Sequence, residues 1–286
     1  MLPRPMSQRP PSPHERPSTI NEALERTAHA LRMQRPAEAE RLASDVLKSN
    51  RTNILAARLL GEALLLQDRP QEAINPLQRA ARRSQDPAIE TLLARALANS
   101  GRGDEALDRL RQATARRPPY PLAFLELGDQ LGKIGRFDEA LAVFEDGLAL
   151  TPDAAVLRIG LGFLHLNRND RARARSLFLA VRVAAPERHD ALVALALVMT
   201  LDGEYAAGAD LYRRALDLRP DDAMTRVRLG KCLLEMGERK AGEAVLRVAV
   251  GGVAQRTGPA IMALAATPHG RFFLRPSAAA KFLQAN

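Results

Sequence analysis

The side chains able to do chemistry in this sequence are few and far apart. Its five histidines stand at His14, His29, His165, His189 and His269, and its one cysteine is Cys232. A hydrolytic or transfer site needs a nucleophile or a metal held against an acid, a base or an oxyanion donor, and none of these residues is spaced to make that set. HExxH, CxxC, a Walker phosphate loop and a dinucleotide fingerprint are all missing. A single cysteine excludes an intrachain disulfide and a multi-cysteine metal cluster, and burial in a helix accounts for it. Adjacent carboxylates occur at Asp104–Glu105 and Asp138–Glu139. Each pair opens a helix after a turn, where negative charge complements the positive helix end, so no acid–base role is required. The expectation is a noncatalytic chain with no cofactor and no metal.

Basic side chains are the other candidates. The formal charge is +9 and the pI about 10.5, values that suit an acidic partner, a nucleic acid or an anionic membrane. Arg158, Arg168, Arg171, Arg173 and Arg175 concentrate that charge, and nucleic-acid association is the alternative they support. Against it, aromatic residues for base stacking make up only 4% of the chain. Arg greatly outnumbers Lys, and Ala is abundant, a bias that matches bacterial coding at high GC content. Asp and Glu are scattered through the same helices, so much of the charge can be paired locally.

The elements that carry these residues repeat every 34 residues. Leu127 returns as Leu161, Leu195 and Leu229, and Gly128 as Gly162, Ala196 and Gly230. Phe144 returns as Phe178 and Tyr212, and Pro152 as Pro186 and Pro220. Gly101, Gly135, Asn169, Gly203 and Gly237 follow the same period and tolerate a left-handed backbone, which predicts one turn geometry inside every unit. Pro118, Pro152, Pro186 and Pro220 predict the end of each second helix. Helical spacing begins at Thr19, with Thr19 or Asn21 available as a cap, and Pro36 suits the first turn of the next helix.

The copy at Pro121–Ala154, with Phe124, Leu127, Gly128, Leu131, Ala140, Phe144 and Pro152, resembles the tetratricopeptide repeat family. The resemblance covers about four-fifths of the chain, roughly Ile20 to Arg256. Departures are Leu131 where Tyr is usual, Gly208 and Gly242 in place of Ala, and Ala254 in place of the closing Pro. The resemblance implies an all-α, right-handed superhelical solenoid of about seven antiparallel helix pairs, and a noncatalytic scaffold or adaptor. Accessory service to a separately encoded enzyme is a further alternative.

In that family the first helix of each pair lines a concave groove. Carried onto this sequence, the lining is Arg58 and Glu62, then Thr91, Arg95 and Asn99, then Leu125, Asp129 and Lys133. Ile159, Phe163 and Asn167 follow, then Val193 and Leu197, then Val227 and Lys231. The early groove is charged. The later groove is apolar, so either a peptide or helix with hydrophobic anchors occupies it or the chain itself covers it. Arg58, Arg95 and Asn99 faintly match the family's carboxylate clamp, but the Lys and Asn of its first helix are missing, which disfavours a chaperone-tail receptor.

Three segments are expected: residues 1–18 as a disordered Pro- and Arg-rich extension, 19–256 as the solenoid, and 257–286 as a helical cap. In the last, Pro259 is expected to begin a helix and Ser277 to cap another. Phe272, Phe273, Leu274, Phe282 and Leu283 give this segment a second reading as a docking or homo-oligomerisation element. No stretch reaches the roughly 20 apolar residues of a membrane span, and no secretory core is evident, so the expected compartment is the cytoplasm.

Overall fold

The structure is a computed structural model that describes residues 16–251, 257–273 and 275–284, with side chains from Ile20 onward. The extension up to Glu15, Ala254 and Leu274 lie outside the described residues. Every regular element among those described is an α-helix. The chain forms two compact units, Met1–Arg136 and Phe137–Asn286.

The first unit holds α1 (Arg16–Arg32), α2 (Pro36–Ser49), α3 (Ile54–Leu66), α4 (Pro70–Ala81), α5 (Pro87–Asn99), α6 (Gly103–Thr114) and α7 (Pro121–Lys133). The second holds α8 (Phe137–Leu150), α9 (Ala155–Asn167), α10 (Arg171–Ala184), α11 (His189–Leu201), α12 (Tyr205–Leu218), α13 (Ala223–Glu235) and α14 (Arg239–Val250), then α15 (Thr257–Ala266) and α16 (Pro276–Gln284). Within each unit every helix packs on its sequence neighbour, and first helices also touch first helices, as in α3 with α5 and α9 with α11. This is an all-α solenoid of stacked helix pairs.

Local chemistry explains the boundaries. Pro36, Pro70, Pro87 and Pro121 open their helices, where a missing amide costs nothing. Side-chain caps come from Asn53 to the Ala56 amide, Asp86 to Ala88, Asp170 to Arg173 and Asp222 to Met224 and Thr225. Two expected caps are corrected. Helix α1 starts at Arg16, which puts Thr19 and Asn21 inside it, and Ser277 lies within α16 because Pro276 already fills its first turn.

The turn series is more complete than its glycines indicate. Gly101, Asn169, Gly203 and Gly237 all have positive φ, as does Gly135 in the first unit, and Gln34 (φ 56°) and Asp68 (φ 57°) extend the series to the two earlier turns. At those two sites a non-glycine residue accepts the left-handed conformation because the following amide closes the turn, Arg35 N–H onto Ala30 and Arg69 N–H onto Leu64.

Close contact inside a pair is set by small residues. A Cβ on Gly162 of α9 would lie 2.3 Å from the Phe178 ring of α10, and one on Gly61 of α3 would lie 2.5 Å from Leu77 of α4. In α13 and α14 two glycines face each other: a Cβ on Gly230 would meet the Gly242 carbonyl at 3.3 Å, and one on Gly242 the Gly230 carbonyl at 3.0 Å. The departure from Ala at position 242 therefore brings backbone against backbone.

The C-terminal segment packs onto the last pair. Ala260, Ala263, Leu264 and Leu283 join Val227, Leu234, Leu246 and Val250 in one buried cluster. Phe282 lies between the guanidinium groups of Arg247 and Arg271, 4.4 and 4.7 Å from its ring centre, with Phe273 at 5.4 Å. Buried Glu243 ties this to α14 by accepting from Arg271 at 2.5 Å and Arg239 at 3.1 Å. Burial alone would push its carboxyl up, but the hydrogen bonds from Arg271 and Arg239 outweigh it and hold the group below the ordinary glutamate range.

These contacts can be tested by substitution. Gly162→Ala should lower unfolding stability by roughly 1–3 kcal/mol through overpacking, despite alanine's better helix propensity, whereas Gly103→Ala, whose Cβ meets nothing within 4 Å, should be neutral or stabilising. Paired chemical denaturation curves measure this. Because the Glu243 pKa is lowered on folding, the stability it contributes is present above the unfolded glutamate range and fades as pH falls through its lower folded value. Glu243→Gln should therefore loosen α15 and α16 by about 1–3 kcal/mol at neutral pH and by less at pH 3, read by amide hydrogen exchange in residues 257–284.

Candidate functional site

The first-helix faces are the surfaces that sequence reasoning assigns to a partner, and the two units present them differently. In the first unit the face is polar and internally bonded. Arg95 on α5 donates from Nε to Glu126 on α7 at 2.6 Å, and the Glu126 carboxylate also accepts from Gln130 at 2.8 Å. Glu126 is buried at 4% exposed, so the Arg95 charge compensates a carboxylate that burial would otherwise make costly. Arg58 on α3 stands 3.7 Å from Asp86.

Tyr120 sits beside this group. Burial, then the Asp86 charge, raise its phenol above the usual range, while Arg58 and Arg95 oppose that. Asp129 is raised to about 6, first by the protein crowded around it and then by the Glu126 charge, against the pull of Lys133 and Arg95. Its side chain is open to water, which moderates both effects. Glu62, Leu125 and Lys133 are accessible, as is Asn99 at the end of α5, whereas Thr91 is buried and bonds the Pro87 carbonyl at 2.7 Å. Thr91 is thus held in helix packing, with its hydroxyl turned back onto its own helix.

Glu126 and Gln130 were missed, yet the repeat carries their signal. The same register positions hold Gly160, Ala194 and Arg228 for Glu126, and Leu164, Val198 and Cys232 for Gln130. A polar side chain at the otherwise apolar Gln130 position marks a departure from pure packing.

In the second unit much of the expected apolar lining is absorbed by the core. Ile159 at 8% and Val227 at 7% exposed are buried, and Val193 packs partly buried against the cluster around Leu192, Leu195 and Tyr212. These corrections have one cause: the first helices lie close enough that a branched side chain on their contacting edges is enclosed by the next helix. Phe163 remains 38% exposed, its ring tilted against Phe178 at 5.3 Å. Leu197 is half-buried, Leu201 is exposed, and Asn167 and Lys231 are open to solvent.

The arginines of α10 and of the turn before it are largely paired. Arg168 pairs with Asp138 at 3.3 Å, Arg173 with Asp170 at 3.4 Å, and Arg175 with Glu204 at 3.0 Å. Arg171 donates to the Leu201 carbonyl at 2.6 Å and stands 3.4 Å from Asp202. Apart from the local Arg173–Asp170 pair, these contacts hold one repeat to the next, and together they leave little free charge for a phosphate backbone, which weakens the nucleic-acid alternative.

The chemistry-bearing residues stay apart. His165 is buried at a core position, where burial lowers its pKa, with Asp170 3.6 Å away. His189 is lowered chiefly by burial and lies 3.2 Å from Asp222. Cys232 is buried, and burial pushes its thiol up to about 11, far from a reactive thiolate. Among the described residues no group of three or more His, Cys, Asp or Glu could hold a metal, and no helix is long and apolar enough to cross a membrane.

Comparison with known proteins agrees with the repeat geometry. The chain is 30% identical over 164 residues to cellulose synthase 2 operon protein C of Komagataeibacter xylinus, a match spanning 55% of this chain and 12% of that protein. It is 26% identical over 126 residues to small glutamine-rich tetratricopeptide repeat-containing protein 2 of Mycosarcoma maydis, spanning 44% of this chain and 33% of that protein. The chain thus spans a third or less of the curated relatives it matches. The crystal structure of a thermophilic repeat protein of Thermus thermophilus superposes with a TM-score of 0.57 at 24% identity, over 63% of this chain and 99% of that one. Family models described as tetratricopeptide repeat match residues 30–96, 91–155, 134–197 and 200–257, and the chain belongs to the tetratricopeptide repeat family.

Proposed function

We propose that this chain is a noncatalytic scaffold or adaptor that holds a protein partner, with an amphipathic peptide or helix as ligand, on its first-helix faces. Repeats of this family indicate protein–protein interaction in general, and the observation that supports this particular mode is Phe163. A phenylalanine 38% exposed, with half-buried Leu197 at its repeat-related position and exposed Leu201 one turn further along α11, is apolar surface that water does not favour. Its aromatic ring, backed by Phe178, offers a rigid anchor for a partner's aliphatic side chain at low entropic cost. Asn167 and Lys231 bracket that surface and supply a polar rim.

The polar first-helix face of the first unit fits a polar ligand segment of its own. Arg95 is already balanced by Glu126, so Glu62, Asp129, Asn99 and Lys133 are the groups left to select register by hydrogen bonds and charge.

Displayed random peptides selected on the full chain should enrich apolar residues at helical spacing. Their affinity should fall about tenfold or more in Phe163→Ser/Leu197→Ser, with little dependence on salt, when measured by anisotropy. Circular dichroism accompanies the variant because losing the Phe163–Phe178 contact costs roughly 1 kcal/mol of stability. Unchanged affinity in a folded variant sinks this reading.

A further inference from the structure

We propose that the cleft between α2, α3 and α4 is a second docking site, one that takes an acidic peptide segment carrying an aliphatic anchor. The cleft has a volume of about 460 Å³ and is lined by Ser44, Leu47, Lys48, Arg51, Leu60 and Arg79. A shallow crevice continues it past Arg83 and Pro76. Its floor is aliphatic, with Leu47 and Leu60 half-buried, and its rim is basic, with Lys48, Arg51, Arg79 and Arg83 exposed. It lies apart from the first-helix faces and is independent of the reading given to them.

The ordinary explanation for basic residues here is that α2 and α4 both end at this edge, and helix C-termini favour cations. That accounts for only part of the charge. Each helix end carries about half a negative charge, screened by water, and Asp45 neutralises Lys48 at 2.8 Å. Arg51, Arg79 and Arg83 have no ion-pair partner among the described residues, so roughly two positive charges stay uncompensated. By contrast, Arg69 pairs with Glu40 at 2.7 Å and Arg109 with Glu90 at 3.1 Å across repeats of this unit.

Charge complementarity selects an acidic occupant, and the aliphatic floor selects one with an apolar side chain. The chain's own first residues have the wrong sign, since Arg4 and Arg9 outweigh Glu15. A nucleic acid would find no aromatic ring in the cleft to stack on. A bilayer presents a flat surface that does not follow a recess, whereas a peptide inserts a Leu or Ile into it while its carboxylates meet the rim.

The test uses the full chain and a fluorescein-labelled twelve-residue peptide of Asp and Glu containing two Leu, followed by anisotropy at low salt. Binding should weaken about tenfold in Arg51→Glu/Arg79→Glu and less than about twofold in Arg213→Glu/Arg214→Glu, which changes the net charge equally but elsewhere. Replacing the two Leu by Gly should weaken binding by about fivefold, and Phe163→Ser/Leu197→Ser should leave it unchanged. If the charge reversal unfolds the protein, Arg51→Gln/Arg79→Gln serves in its place, with an expected loss of about threefold. Equal losses in the two charge-reversal variants, indifference to the Leu replacement, or tighter binding of an oligonucleotide or of phosphatidylserine vesicles overturns the proposal.

Discussion

The close approach of paired helices is the constraint on which the rest of this structure depends. Gly61, Gly162 and Gly230 on first helices leave room for Leu77, Phe178 and Leu246 on second helices. A larger side chain there would move the helices apart, and because each pair packs on the next, the shift would pass along the stack. The left-handed turn residue in each pair serves the same geometry, since it reverses the chain in the few residues that closely packed antiparallel helices allow. With pair geometry fixed, the first-helix faces are displayed in register, and what they bind is decided by substitutions that do not disturb the contact.

Charge does two separate jobs in such a stack. Arginines bonded to a carboxylate or carbonyl about 30 residues away act between repeats: Arg69 to Glu40, Arg171 to Leu201, Arg175 to Glu204 and Arg271 to Glu243. Most of these pairs are partly exposed, so each stabilises modestly, and their geometric role in holding one repeat's orientation to the next matters as much as their energy. Others, among them Arg51, Arg79 and Arg83 at the ends of α2 and α4, have no such partner among the described residues. A net charge of +9 conceals this division, and composition alone could not separate structural cations from available ones.

Much of the fold was legible because a 34-residue period compares each residue with its own copies. Leu, Gly, Ala and Pro at recurrent positions marked helices, contacts and ends, and the two turns that period alone did not mark carry Gln34 and Asp68 in place of Gly or Asn. The candidate site was less legible for a physical reason. Groove positions carried over from the family specify where a Cα lies, whereas exposure depends on how closely the neighbouring helix approaches. Ile159 and Val227 fill that approach and are buried, Phe163 is large enough to reach past it, and Thr91 turns back onto its own helix.

Function in a repeat protein is to be sought where the period breaks. Residues that obey the period are explained by packing, because every copy faces the same neighbour. Residues that break it are under some other constraint. Gln130 stands where other copies are apolar and Glu126 where they range from Gly160 and Ala194 to Arg228, and Arg95 makes the burial of both tolerable, which places a polar network within a hydrophobic stack. Phe163 occupies the register of Asp129, Leu197 and Lys231, a position that packing leaves free to vary and at which each unit therefore displays different chemistry. A solenoid divides its sequence in this way because stacking uses only part of each helix. The uncommitted face can change from charged to aromatic to basic without altering the contact between paired helices, and recognition can evolve at positions whose failure would not unfold the chain.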